Sequence, residues 1–137
     1  MARLPRFYRL IRVVRLFRIL KFNSSLNNLL ASLGINKAVG KLVTVIVSVV
    51  FVVHLIACIW YWLADFGGFQ PDCWVVRMDL VEATIIYRYV SSAYWAVQTL
   101  CTVGYGDIPA VTLSEKVMAI LWMIGGFALY SYTIGNF

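Results

Sequence analysis

Apolar residues run almost without interruption over positions 42–64 and again over 117–137, and between them the pattern breaks into a mixed loop and a shorter apolar stretch. Only Thr44, Ser48 and His54 interrupt the first run. At 1.5 Å per residue it reaches about 35 Å, enough to cross a bilayer with some tilt. Trp60, Tyr61 and Trp62 crowd its far end, where aromatic belts lie, and Asp65 follows. The second run carries no charge and reaches about 31 Å. Thr112 or Ser114 can cap it, with Glu115 in its first turn. Between the two runs, Gly67, Gly68 and Pro71 end the first helix. Residues 89–101 read as a helix of about 20 Å, too short to span. Lipid tolerates a half-crossing segment only where protein or a water-filled cavity surrounds it. The pattern therefore predicts an outer helix over 42–65, an outer loop over 66–88, a short re-entrant helix over 89–101 and an inner helix over 113–137.

The chain begins differently. Arg3, Arg6, Arg9, Arg12, Arg15, Arg18 and Lys21 fall at every third position, separated by mostly apolar pairs. A surface-lying amphipathic helix keeps its charges on one face by alternating spacings of three and four. A strict spacing of three instead winds the charges round an α-helix, or aligns them in a 3₁₀ stretch. That pattern suits a voltage sensor, in which each charge crossing the field is worth about 2.3 kcal/mol per 100 mV. Asn23, Ser24 and Ser25 give a turn signal. Residues 23–41 read as a cytoplasmic connection in which Gly34 and Asn36 break a short amphipathic piece. Lys37 and Lys41 place that side inside.

Composition supports the membrane class. The chain is 62% hydrophobic and 13% charged, against about a quarter charged in a soluble domain. The net charge of +6 is concentrated at the start, where residues 1–41 hold nine Lys/Arg and no acid. A basic end on a hydrophobic body points to membrane orientation and away from nucleic acid. Cys58, Cys73 and Cys101 have neither CxxC spacing nor a histidine cluster, which argues against a metal centre. Cys58 and Cys101 read as packing residues, and Cys73 as free or paired. His54 is a functional candidate by its place in a span; the plainer reading is a neutral imidazole hydrogen-bonded to a neighbouring helix. No signal-peptide pattern is present. No acid/base pair or nucleophile arrangement suggests an enzyme.

The chemistry gathers at Thr102, Val103, Gly104, Tyr105 and Gly106, followed by Asp107. The glycines permit backbone angles that let successive carbonyls face one axis. This run matches, letter for letter, the selectivity-filter signature of potassium channels, and the chain resembles that family along nearly its whole length. The resemblance implies that these five residues bind the permeant K⁺ through carbonyls and the Thr102 hydroxyl, and that four copies complete the site. It implies supporting roles for Tyr94, Trp95, Gln98 and Asp107, with Trp95 packed on Tyr105 and a Tyr94–Asp107 bond. Cys101 stands where threonine is commoner. The N-terminal Arg-x-x-Arg run resembles the fourth helix of voltage-gated channels. Residues 132–136 resemble the branch of ether-à-go-go, plant inward-rectifying and cyclic-nucleotide-gated channels. In that family three helices with acidic countercharges precede the basic one. Here no acid precedes Asp65, so the chain is either a fragment or its basic helix lies at the interface and senses nothing. Gly125 and Gly126 mark either a gating bend or close helix packing.

The expectation is an all-α membrane protein of the voltage-gated potassium-channel type. It has a sensor-like helix and two pore helices around a re-entrant helix and filter. It would be tetrameric with like subunits (homo- or heterotetramer), embedded in a lipid bilayer, the plasma membrane, and without a cofactor. The alternatives are a non-conducting truncated subunit that modulates full-length channels, a weakly selective cation channel, or a surface-bound basic peptide fused to a degenerate pore.

Overall fold

The computed structural model describes Ser32 and residues 36–135. The basic run from Arg3 to Lys21, and most of the connection after it, lie outside the described residues. Every regular element among the described residues is helical: α1 (Lys37–Phe66), α2 (Trp74–Arg77), α3 (Ile85–Leu100) and α4 (Leu113–Gly135). α1 and the part of α4 over Leu113–Ser131 are long and apolar enough to cross a membrane. The described residues are thus those of an all-α membrane protein, with two such candidate spans among them. The chain divides into two compact units, Met1–Phe51 and Val52–Phe137. α1 starts in the first, and everything below that concerns packing lies in the second.

α1 begins at Lys37, five residues ahead of the expected 42. The side chain of Asn36 accounts for this: its Oδ1 accepts from the Ala38 amide at 3.3 Å, which makes it a cap where the sequence reads as a break. The far end closes in a Schellman motif. Phe69 N–H donates to the Ala64 carbonyl at 3.1 Å and Gly68 N–H to that of Asp65 at 3.0 Å. Gly68 takes the left-handed conformation, φ 70°, that this motif demands. α3 also starts early, at Ile85 instead of 89, because Thr84 caps it and accepts from the Tyr87 amide at 3.4 Å. Arg88, read as an outer-loop charge, therefore belongs to the first turn of α3. Its guanidinium donates to the carbonyls of Leu80 (2.9 Å) and Val81 and to the Tyr61 hydroxyl (2.9 Å). Those bonds fold the 80–82 turn onto the helices.

Each long helix buries one narrow stripe. On α1 the stripe in the second unit is Val53, Ala57, Trp60 and Ala64; on α4 it is Glu115, Ala119, Trp122 and Gly126. Both alternate steps of four and three, the repeat that keeps side chains on one helical face. The core they enclose is aromatic. Trp60 stacks on Trp95 of α3 with centroids 3.6 Å apart and planes 6° from parallel, and Trp74 of α2 lies beyond Trp60 at 6.1 Å. Trp122 Nε1 donates to the Ala96 carbonyl at 3.1 Å and fixes α4 against α3.

α4 runs unbroken through its paired glycines. A Cβ at Gly126 would lie 3.2 Å from Leu100 Cδ1, whereas one at Gly125 would meet nothing within 4 Å. Gly126 is thus a close-packing position, and the two glycines are not equivalent. Gly125→Ala should leave stability unchanged or raise it by up to about 1 kcal/mol through helix propensity. Gly126→Leu should lower it by about 1–3 kcal/mol through overpacking against Leu100. Thermal unfolding of the two variants in detergent checks the contrast.

Candidate ion-binding loop

The segment from Cys101 to Thr112 joins α3 to α4 without regular structure. Most of its backbone N–H groups have partners. α3 ends in a second Schellman arrangement: Thr102 N–H donates to the Thr99 carbonyl at 3.1 Å and Val103 N–H to that of Gln98 at 3.0 Å. The left-handed position of this motif, usually glycine, is filled by Thr102 at φ 58°. A β-branched residue there is strained by about 1–2 kcal/mol. Gly104 (φ 57°) and Gly106 (φ 76°) are also left-handed, while Val103 and Tyr105 are not. The sign of φ therefore alternates through the five residues. A Cβ at Gly104 or Gly106 would meet nothing within 4 Å, so conformation and not space calls for glycine.

Behind this loop, three side chains hold it. Gln98 Oε1 accepts from the Tyr105 amide at 3.1 Å, and Gln98 Nε2 donates to Asp107 Oδ1 at 3.0 Å. The Tyr94 hydroxyl donates to Asp107 Oδ2 at 2.7 Å. Tyr94 and Gln98 are four apart, one helical turn, so α3 presents both to the same carboxylate. Asp107 Oδ1 also accepts from the Ile108 amide at 3.0 Å. The bond from Tyr94, then that from Gln98, holds the Asp107 carboxyl below the ordinary carboxylate range. The same bond raises the Tyr94 phenol above its ordinary value.

Trp95, expected against Tyr105, instead stacks on Trp60. Tyr105 is 72% exposed and Val103 50%. In a single chain nothing covers this side of the loop. Thr99, Leu100, Thr102 and Gly104 meet Met123 and Phe127 of α4 around an open cavity of ≈ 280 Å³. His54 has the interhelical partner that its plainer reading calls for: its Nδ1 lies 2.8 Å from the Tyr89 hydroxyl.

Two features were not foreseen. One is the Trp74–Trp60–Trp95 stack, whose members are separated along the chain and carry no motif. The other is the full reach of Glu115. Its Oε2 accepts from the amides of Val111 (2.9 Å) and Thr112 (3.1 Å), and its Oε1 from the Trp74 amide at 2.9 Å. Thr112 Oγ1 in turn accepts from the Glu115 amide at 3.3 Å. The Thr-x-x-Glu spacing of a capping box announces the local half of this arrangement. The bond to Trp74 has no signal in the sequence.

Comparison with known proteins agrees with this architecture. The family described as ion transport protein matches residues 2–137. The chain is 32% identical over 131 residues to potassium channel AKT2 of Oryza sativa subsp. japonica, covering 94% of this chain and 15% of that protein. It is 33% identical over 133 residues to potassium channel AKT1 of Oryza sativa subsp. indica, covering 96% and 14%. With potassium channel KAT3 of Arabidopsis thaliana the identity is 34% over 134 residues, covering 96% and 19%. The chain thus spans less than a fifth of the length of these relatives. With two apolar spans joined through a short helix and a tethered loop, and a family match across nearly its full length, the chain belongs to the ion transport protein family.

Proposed function

We propose that the chain forms the pore of a potassium-selective channel of the voltage-gated type, in which four like subunits bring residues 102–106 around one axis. A potassium ion enters such a pore only if oxygens replace its hydration shell. The observation that carries the reading is the 102–106 backbone itself. Alternation of the sign of φ is the condition under which consecutive peptide units turn their N–H groups to one side and their carbonyls to the other. Gln98 takes the Tyr105 amide on the α3 side, which leaves the opposite side for carbonyls. The uncovered side chains of Val103 and Tyr105 support assembly, because exposed apolar surface of this kind marks an interface. α3 ends beside the cavity, and its C-terminal dipole favours a cation there.

On this reading the outer helix, outer loop, pore helix and inner helix are α1, the 67–84 segment, α3 and α4. Thr102, Val103, Gly104, Tyr105 and Gly106 contact the ion, and Tyr94, Gln98 and Asp107 hold them in place. Trp95 supports the filter through Trp60 and the α3 core. Gly125 is the bending position, since Gly126 is committed to packing. Arg3, Arg6, Arg9, Arg12, Arg15, Arg18 and Lys21 are the sensor charges, and the plasma membrane is the site of action.

Rubidium uptake into liposomes carrying the purified chain tests the pore. Uptake should be blocked by potassium and indifferent to sodium. Equal competition by both ions would move the chain to weakly selective cation channels, and a tetramer without uptake would make it a non-conducting subunit. Gly104→Ala should abolish selective uptake while leaving the tetramer, since an L-residue at φ 57° is strained by about 1–2 kcal/mol and relaxes the loop.

Acid should weaken the filter in a defined direction. The pKa of Asp107 is lowered in the folded chain. The stabilisation from its bonds is therefore present above the ordinary carboxylate pKa of about 4 and is lost as pH falls through the lowered value. Tyr94→Phe removes the largest cause of the shift, so acid loss of uptake should move to higher pH than in the wild type. A pH titration of uptake for both proteins measures the displacement; an unmoved midpoint would remove Asp107 from the support of the loop.

A further inference from the structure

We propose that Glu115 is a positioning residue for the ion-binding loop: it ties the loop's outer end to the outer loop, and so keeps Asp107 and Tyr105 in register. The consequence for conduction rests on the pore reading above; the mechanical claim does not.

The carboxylate is 1% exposed. A buried carboxylate is tolerated only when its oxygens are hydrogen-bonded, and here both oxygens are engaged by backbone amides. A capping box requires only one of them. Oε2 serves it, closing the first turn of α4 through Val111 and Thr112. Oε1 is left over, and it takes the Trp74 amide from a segment 41 residues earlier. A helix start has no need of that bond.

What the bond connects gives it a purpose. Trp74 leads to Trp60, whose carbonyl accepts from Trp74 Nε1 at 3.4 Å, and Trp60 stacks on Trp95. Trp95 precedes Gln98 by one turn of α3, and Gln98 holds Tyr105 and Asp107. The loop is therefore clamped at its inner end by the α3 terminus and at Asp107 by Tyr94 and Gln98. Its outer end at Val111 and Thr112 is clamped by Glu115, against the same aromatic block. Only Ile108, Pro109 and Ala110 separate the last two clamps. Slack at Val111 has little chain in which to dissipate before it reaches Asp107.

Glu115→Gln isolates the role at nearly constant shape. If the amide oxygen keeps the box, the amide nitrogen faces the Trp74 N–H, donor against donor; if the amide flips, the box is lost. Hydrogen exchange of the full chain in bilayers should then quicken at Trp74, Val111 and Thr112. It should also quicken at Tyr105 and Ile108 by about tenfold or more, the factor expected from losing one charge-assisted hydrogen bond. Acceleration confined to Trp74, Val111 and Thr112 would overturn the proposal and leave Glu115 a local cap. Should the variant fail to fold, the wild type decides: under one anchor, the amides of Trp74, Thr112 and Tyr105 open together with one rate, and separate openings would overturn it. With a folded variant and a conducting wild type, rubidium uptake should discriminate less against sodium in Glu115→Gln at equal amounts of tetramer. An unchanged ratio with less tetramer is the mark of a merely structural residue and overturns the proposal. A wild type that takes up no rubidium would sink the pore reading alone, and hydrogen exchange would still decide the role of Glu115.

Discussion

A peptide segment that is neither helix nor strand, set between two apolar helices, must find partners for its own backbone. In the 101–112 segment this constraint decides most of what surrounds it. The carbonyls left free at the end of α3 take the first amides; beyond that turn the helical main chains are already engaged and cannot supply the remaining partners. Side chains supply them: Gln98 takes the Tyr105 amide, Asp107 that of Ile108, and Glu115 those of Val111 and Thr112. Two of the three are acids in a chain with only six, and each carboxylate is further held by a donor from another element. Among the described residues, the polar chemistry of the second unit is thus largely spent on keeping one irregular strand of backbone in a single conformation.

The apolar packing serves the same end. α1 and α4 bury one stripe each and leave the remainder of their surfaces open, which suits lipid or neighbouring subunits better than a self-contained core. The tryptophan stack is the aromatic part of that packing, and its position is informative: Trp60 lies near the C-terminal end of α1, Trp74 in α2, and Trp95 one turn before Gln98. Rigidity is concentrated beside α3, the helix that carries the loop. Trp60 Nε1 is buried with no hydrogen-bond partner, a group that ordinarily costs about 1–3 kcal/mol. The same ring packs against Trp95 at 3.6 Å and Trp74 at 6.1 Å between centroids.

Much of this was legible in the sequence, for reasons that can be named. Spans are set by continuous apolarity, so α1 and α4 were visible, and their ends differ by only a few residues wherever a cap such as Asn36 extends the helix beyond the apolar run. The 102–107 motif was visible because its glycines are needed at fixed places. Tyr94 and Gln98 could be named only through the resemblance of this stretch to the family's pore helix, and α3 brings both to Asp107. Within one chain the Trp95 ring stacks on Trp60, a contact the sequence did not announce, because no periodicity distinguishes a partner 35 residues back from one ten residues ahead. The tether from Glu115 to Trp74 was hidden for the same reason. Local spacing encodes the capping box, but a bond across 41 residues exists only once α2 has been folded against α4.

The strain at Thr102 remains to be placed. A threonine in a left-handed Schellman position costs stability that glycine would spare, and the isolated chain offers nothing in return. An uncompensated outlier of this kind is kept where function over-determines it. A glycine at 102 would relieve the backbone but would remove the hydroxyl from the inner end of the loop, beside the cavity lined by Thr99, Met123 and Phe127. On the pore reading that hydroxyl is an ion ligand, and the strain sets the alternation of φ going at its first residue, so that Gly104 and Gly106 continue it. On that reading the same residue ends a helix, starts the carbonyl row and contributes an oxygen to it. Valine would match threonine in shape and share its strain but not its oxygen, so on the pore reading the hydroxyl, and not the fold of α3, is the reason for threonine at this position.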